Sequence, residues 1–407
     1  MHAIAAARHI GSLLSPGALP VMRVALERDA ALRGRRLAAS IRDSASERRR
    51  PTRPRMRALV LGPGRTLRWR AVPAPPPPPP LGATVRPLAI ATCDMDRPIG
   101  LGATPFPLPL QFGHECVAEI VSVGADVRGL RPGQRVVVPF QISCGGCSAC
   151  ATGRTGSCMA VPPISMYGFG VAGGHWGGVI ADEVAVPFAD AMLVALPDSV
   201  QPEAAASVGD NVSDAYRHVG PHLGRLIEEG RGDEVLIAGA VKRSHPFTAS
   251  LSLYAGLIAR ALGATSVTVA DARRDVREQA ERLGLSTAAP SELGGTPTAS
   301  LVVDASAHPR GLRLAIERTG PDGICSSAGS LHASVRLPFS AMYARNVTVH
   351  VSRTHARAVI PEVLELMAAD RLRPERVTTL TAPIDDAIEA LDQHLRGGST
   401  KTILTAR

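Results

Sequence analysis

Cys144-Gly-Gly-Cys147-Ser-Ala-Cys150, with Cys158 after seven more residues, puts four thiols into fifteen positions of a 407-residue chain. Nothing else in the sequence restricts a local fold so tightly. Four thiolates at this spacing can close a tetrahedron around one Zn²⁺, with Zn–S near ~2.3 Å; a site with four sulfur ligands keeps no open position, so it is structural. Gly145 and Gly146 let the backbone turn closely around the ion. An iron–sulfur cluster and redox cysteines are the alternatives. Dispersed cysteines would suggest disulfides, whereas crowding of this kind indicates metal binding in a reducing compartment, and so a cytoplasmic protein. Cys116 and Cys325 fall in apolar runs and read as buried and inert.

Composition narrows the class. At 45% hydrophobic residues the chain can fill two cores. No apolar run reaches the ~20 residues of a membrane span, which argues against a membrane protein. Aromatic residues at 3% argue against a base-stacking nucleic-acid binder. The net charge of +9 is unevenly placed: residues 1–55 hold 12 Arg, no Lys and 4 acids, leaving the rest nearly neutral. This segment, with its run Arg48-Arg49-Arg50, reads as a basic, disordered extension, and Met56 opens a strand-like stretch that could be the natural start. A targeting leader, or a contact with nucleic acid or membrane, is the other reading.

Pro75–Pro80 must form an extended surface loop. Residues 83–197 are β-rich, with short runs (117–123, 136–138, 179–186) between Gly/Pro turns. The texture then changes. Strands at 233–238, 267–270 and 301–304 alternate with helical patterns at 251–262 and 275–283, which predicts a doubly wound parallel sheet. Two amphipathic helices (360–369, 384–395) and a strand (400–404) close the chain.

Cys93-Asp94-Met95-Asp96, then Gly113-His114-Glu115, then the four-cysteine lobe together resemble the zinc-dependent medium-chain alcohol dehydrogenases, over roughly residues 56–407. The resemblance implies an α/β fold: a β-rich GroES-like catalytic domain (56–211 and 353–407) and a Rossmann dinucleotide-binding domain (212–352), beyond the extension 1–55. It implies a catalytic zinc held by Cys93 and His114, with a third ligand just before the dinucleotide domain. Asp210 stands where the family usually has cysteine, as in formaldehyde-dehydrogenase-like members. A carboxylate binds Zn²⁺ at about the distance of an imidazole, which favours Asp210 as the ligand; a cap on the following helix is the alternative. Glu115 matches a carboxylate near the metal that can exchange with a ligand. Asp96 matches the residue that orients the ligand histidine. Three protein ligands leave a position for water or an alcohol oxygen, whose pKa such an ion lowers toward ~7.

Two departures from the family stand out. Met95 occupies the place of the Ser or Thr that begins the proton relay, and it cannot relay protons. His175, in a Gly-rich loop with Trp176, is the substitute considered. The loop after the strand 234–238 should read Gly-x-Gly-x-x-Gly, so that the backbone can approach a pyrophosphate on the helix N-terminus. Only Gly239 survives, in a loop about six residues longer than expected. Lys242 and Arg243 could hold phosphates by charge instead. Asp271 ends the second strand, where an acid bonds ribose hydroxyls and favours NAD over NADP; Arg273 and Arg274 soften that preference, and a helix cap is the alternative. Lys401 reads as a surface lysine or as a cation toward cofactor phosphate.

The expected activity is hydride transfer between a small alcohol or aldehyde and NAD(P), with two zinc ions per chain, in a homodimer or homotetramer. The competing expectation is a zinc-stabilised, non-catalytic or cofactor-impaired relative acting as a binding protein.

Overall fold

A computed structural model of the protein describes residues 53–104, 106–294, 299–328 and 335–406. The expectations for residues 1–52 lie outside the described residues.

The β-rich part begins with a hairpin, β1 (Arg55–Leu61) and β2 (Leu67–Pro73), joined by the short β4 (Leu110–Gln111) in a three-stranded sheet. The proline run connects β2 to β3 (Ala83–Ala91), with the Pro80 carbonyl accepting from the Asp126 amide at 2.8 Å. β3 pairs with β5 (Glu115–Val123), then β6 (Arg135–Val138) and β8 (Val194–Ala195). β7 (Val184–Val186) also pairs with β3. The chain returns at its end to complete this seven-stranded sheet with β15 (Leu380–Pro383) and β16 (Thr402–Thr405), β16 lying against β3. Leu59, Val85, Ile90, Ile120 and Tyr167 fill the core beneath.

The second sheet has six strands, all parallel: β9 (Glu234–Ala238), β10 (Ser266–Ala270), β11 (Ser286–Ala288), β12 (Ala299–Asp304), β13 (Thr319–Ser327) and β14 (Thr348–Val351). Their order is β11-β10-β9-β12-β13-β14, the 3-2-1-4-5-6 order of a doubly wound sheet. Helices cover its faces, which explains why Val235-Leu236-Ile237-Ala238 is apolar without alternation.

Among the described residues six helices exceed eight residues: α1 (Asn211–Glu228), α2 (Ser250–Ala261), α3 (Arg274–Arg282), α4 (Pro309–Arg318), α5 (Ala356–Ala368) and α6 (Ala387–Leu395). α1 packs on α2 and α5 through Val219, Leu223, Leu226, Leu253, Ile258 and Ile360.

The expected strand at 179–186 is shorter. Only Val184–Val186 pair as a strand, because Val179 and Ile180 bond instead across the Gly113 turn, to Gly113 and Phe112. Residues 384–386 form a separate 3-10 turn before α6.

Candidate metal centre

β3 and β5 run antiparallel with Ala91 opposite Glu115, so the residues just past the end of one strand meet those just before the other. Cys93 and His114 therefore face each other. Asp210, immediately before α1, closes the third side. Cys93 Sγ lies 3.3 Å from Asp210 Oδ2, and His114 Nε2 lies 3.3 Å from the same oxygen. Ligand atoms of Cys93, His114, Glu115 and Asp210 all lie within 4.8 Å of one another, and all four residues are buried. Asp210 does not cap α1, because its side chain makes no bond to the helix amides.

The cluster has the electrostatics of a site short of a cation. Burial pushes the Cys93 thiol well up, and the nearby Asp210, Glu115 and Asp96 push it further. Burial likewise raises the Glu115 carboxyl to about 8 against the lowering pull of Lys401. Burial lowers the His114 imidazole, but Asp96, Asp210 and Glu115 outweigh it and lift it to about 9. Neither ring nitrogen of His114, nor Glu115 Oε1, has a hydrogen-bond partner among the described residues. Buried polar atoms left this way are costly unless an ion takes them up. A thiolate, an imidazole and a carboxylate are a donor set that suits Zn²⁺.

Asp96 stands behind the cluster, with Oδ2 accepting the Cys93 amide at 2.8 Å and Oδ1 3.7 Å from His114 Nδ1. Lys401 departs from both expectations made for it. It is completely buried, and its ammonium donates to Glu115 Oε2 at 3.1 Å, to Asn211 Oδ1 at 3.0 Å and to the Thr92 carbonyl. A default reading of lysine as a surface residue hides this role, although the apolar Thr402-Ile403-Leu404 beside it was a signal.

A cavity of about 200 Å³ opens over Cys93 and Asp210. Met95, Phe106, Phe140, Ile164, Met166 and Phe169 line it, and Phe169 and Phe140 flank the His114 ring at 5.1 and 6.0 Å. His175 is exposed and does not line the cavity, and Trp176 packs against the core. Asp214, which the sequence reading passed over, lines it beside Arg217.

The four-cysteine lobe brings Cys144, Cys147, Cys150 and Cys158 within 4.8 Å as free thiols. The Met159 amide points at Cys147 Sγ (3.4 Å) and, with a second amide, lowers that thiol to about 6. Gly145 turns at φ +74°, and a Cβ there would meet Ala191 at 2.6 Å. Such a lobe has little core of its own. Cys150→Ser should cost the chain one bound zinc by mass spectrometry and open residues 144–158 to protease; unchanged metal content would show that the lobe holds none.

The residues expected to hold a dinucleotide are placed differently. Gly239 serves a close approach: a Cβ there would lie 2.5 Å from Asp271 Oδ2. Asp271 is fully buried and spends both oxygens inside the protein, on the Ala240 amide (3.0 Å) and on the amide and guanidinium of Arg273 (2.8–2.9 Å). It does not cap α3, which begins at Arg274. Lys242 and Arg243 are exposed on the long loop. Arg243 lines a cleft of about 660 Å³ with Arg97, Arg273, Arg274, Arg282 and Arg396.

Residues 80–198 match the alcohol dehydrogenase GroES-like domain. A Mycobacterium tuberculosis protein named as a probable zinc-binding alcohol dehydrogenase is 28% identical over 341 residues, 82% of this chain and 83% of its own. The glutathione-independent formaldehyde dehydrogenase of Bacillus subtilis is 33% identical over 209 residues, and the match spans 49% of its length. The alcohol dehydrogenase of Thermus sp. ATN1 superposes with a TM-score of 0.74 at 28% identity, over 86% of this chain and all of its own. The 3-2-1-4-5-6 sheet beside a β-rich, cysteine-bearing domain defines a medium-chain dehydrogenase architecture. Residues 80–198 carry the alcohol dehydrogenase GroES-like domain, and over most of its length the chain is similar to zinc-binding alcohol dehydrogenases.

Proposed function

We propose that the protein is a zinc-dependent alcohol dehydrogenase that transfers hydride between an alcohol or aldehyde and a nicotinamide dinucleotide. The observation that carries this reading is the meeting of Cys93, His114 and Asp210, from three distant segments, at the floor of an apolar cavity. These three would hold the catalytic zinc, and Cys144, Cys147, Cys150 and Cys158 a structural one. The catalytic ion, when bound, supplies a Lewis acid at the reacting oxygen. Asp96 orients His114, and Lys401 balances Glu115. Phe106, Phe140 and Phe169 exclude water and favour an apolar or aromatic primary alcohol over a polyol. Met95 carries no proton, so proton exit runs through solvent at the cavity mouth.

The chain divides, in this reading, into a catalytic domain of 56–211 and 353–407 and a dinucleotide domain of 212–352. The strands support the division: one large sheet draws on residues 83–195 and 380–405, the other on 234–351. On cofactor choice, the expectation of NAD rested on a carboxylate free to meet ribose hydroxyls, and Asp271 is committed to Arg273 and Ala240. Six arginines line the cleft alongside, so NADP, with its extra phosphate, is the better fit. Leu337, Phe339, Tyr343 and Val351 stand exposed at the β14 edge, which supports a homodimer formed there. Among the described residues no helix is long and apolar enough to cross a membrane.

The test is a titration of metal-replete protein with NADPH and NADH by fluorescence, alongside zinc counting and assays with primary alcohols. Two zincs per chain, tighter NADPH binding and turnover that a chelator stops are expected. Binding of neither dinucleotide at millimolar concentration would overturn the reading.

A further inference from the structure

Asp94 follows the Cys93 ligand position directly, yet its side chain turns away from the metal cluster. Its Oδ2 accepts the Leu251 amide at 3.0 Å. Its Oδ1 accepts the Ser250 amide at 3.1 Å and the hydroxyls of Ser250 and Thr248. Ser250 and Leu251 are the first two residues of α2, the helix that follows β9, the first strand of the parallel sheet. That helix has no local cap, since Ala249 precedes it. Its N-terminal amides are where a doubly wound fold seats an anionic phosphate. Here a carboxylate from the other half of the chain sits on them.

The loop before α2 is held in keeping with this. Arg97 donates to the His245 carbonyl and Arg273 to the Phe247 carbonyl, each at 2.8 Å. Phe247 and Thr248 thereby line both the metal-centre cavity and the arginine-lined cleft. A dinucleotide reaching from that cleft to the metal has to pass this segment. The loss of the glycines now has a physical account: a small carboxylate, unlike a pyrophosphate, reaches the helix without a bare backbone beneath it.

We propose that Asp94 is a built-in surrogate for cofactor phosphate: it occupies the N-terminus of α2, and a dinucleotide binds only by displacing it from Thr248, Ser250 and Leu251. This rests on the dehydrogenase reading above. Electrostatics set the direction, because an anion at this position repels the phosphates that would take its place, and removing it frees two amides and the helix dipole for them.

Calorimetric titration of the full, metal-replete chain with ADP-ribose, which has the pyrophosphate and no nicotinamide, tests the proposal. Asp94→Ala should bind at least tenfold more tightly than the unaltered protein. Asp94→Asn, which keeps the shape and removes the charge, should move in the same direction, and it serves if the alanine variant fails to fold. Thr248→Val should give a smaller gain. Equal, measurable affinity in the unaltered and Asp94 proteins would overturn the surrogate role and leave the dehydrogenase reading standing. No binding by any of them would overturn both.

Discussion

His114→Ala should lose one zinc per chain and nearly all dehydrogenase activity while keeping its fold. The side chain sits at the centre of the cluster, 3.3 Å from Asp210 and enclosed by Phe140 and Phe169. Without it, Cys93 and Asp210 are two donors where a catalytic zinc takes three. Loss of the Lewis acid removes several kcal/mol of transition-state stabilisation, and about 4 kcal/mol is already a rate loss of about a thousandfold. The fold should survive, since the core of this domain is filled by other side chains, Leu59, Val85, Ile120 and Tyr167 among them. The checks are metal content by mass spectrometry, steady-state rates and a thermal melt. Full zinc content with a rate within twofold of the unaltered protein would remove His114 from the site and the proposed mechanism with it.

Legibility followed the reach of each interaction along the chain. The four-cysteine lobe was plain because all of its donors fall within fifteen residues. Cys93, His114 and Asp210 could be nominated only through the resemblance to the zinc-dependent alcohol dehydrogenases, and the sequence left Asp210 open between ligand and helix cap. Its missing bond to the α1 amides excludes the cap, and its 3.3 Å approach to Cys93 puts it in the cluster. Asp94 carries no mark of its role in the sequence, because its partners lie 154 to 157 residues away. The alternation of strands and helices gave away the parallel sheet. α1 left a weak mark, since Gly220, Pro221 and Gly224 interrupt its pattern and its stability comes from packing on α2 and α5. The partners of Asp271 were hidden for a related reason. Its position matched a ribose-binding acid, but Arg273, two residues on, folds back and claims it.

Lys401→Met should be the most destabilising single change outside the metal ligands. The ammonium is completely buried, and although burial alone would lower its pKa, Glu115 and its other neighbours raise it, so it stays charged. Methionine fills similar space but leaves the Glu115 carboxylate, also fully buried, without its cation and beside Asp210 and Cys93. Breaking a buried pair from one side costs about 3 kcal/mol, toward the lower end of the usual range, because the Glu115 carboxyl, already raised to about 8, takes up a proton once its cation is gone. Thr92 and Asn211 lose a hydrogen bond as well. In a chain of 407 residues each kcal/mol shifts melting by about 1–2 °C, so the melting temperature should fall by about 5 °C. The double variant Lys401→Met, Glu115→Leu separates charge from packing: with both ions gone the desolvation cost goes too, and most of the lost stability should return. A double variant no more stable than Lys401→Met would mean that the lysine acts through shape alone. A single variant melting within a degree of the unaltered protein would mean that the pair is not closed in solution as the structure has it.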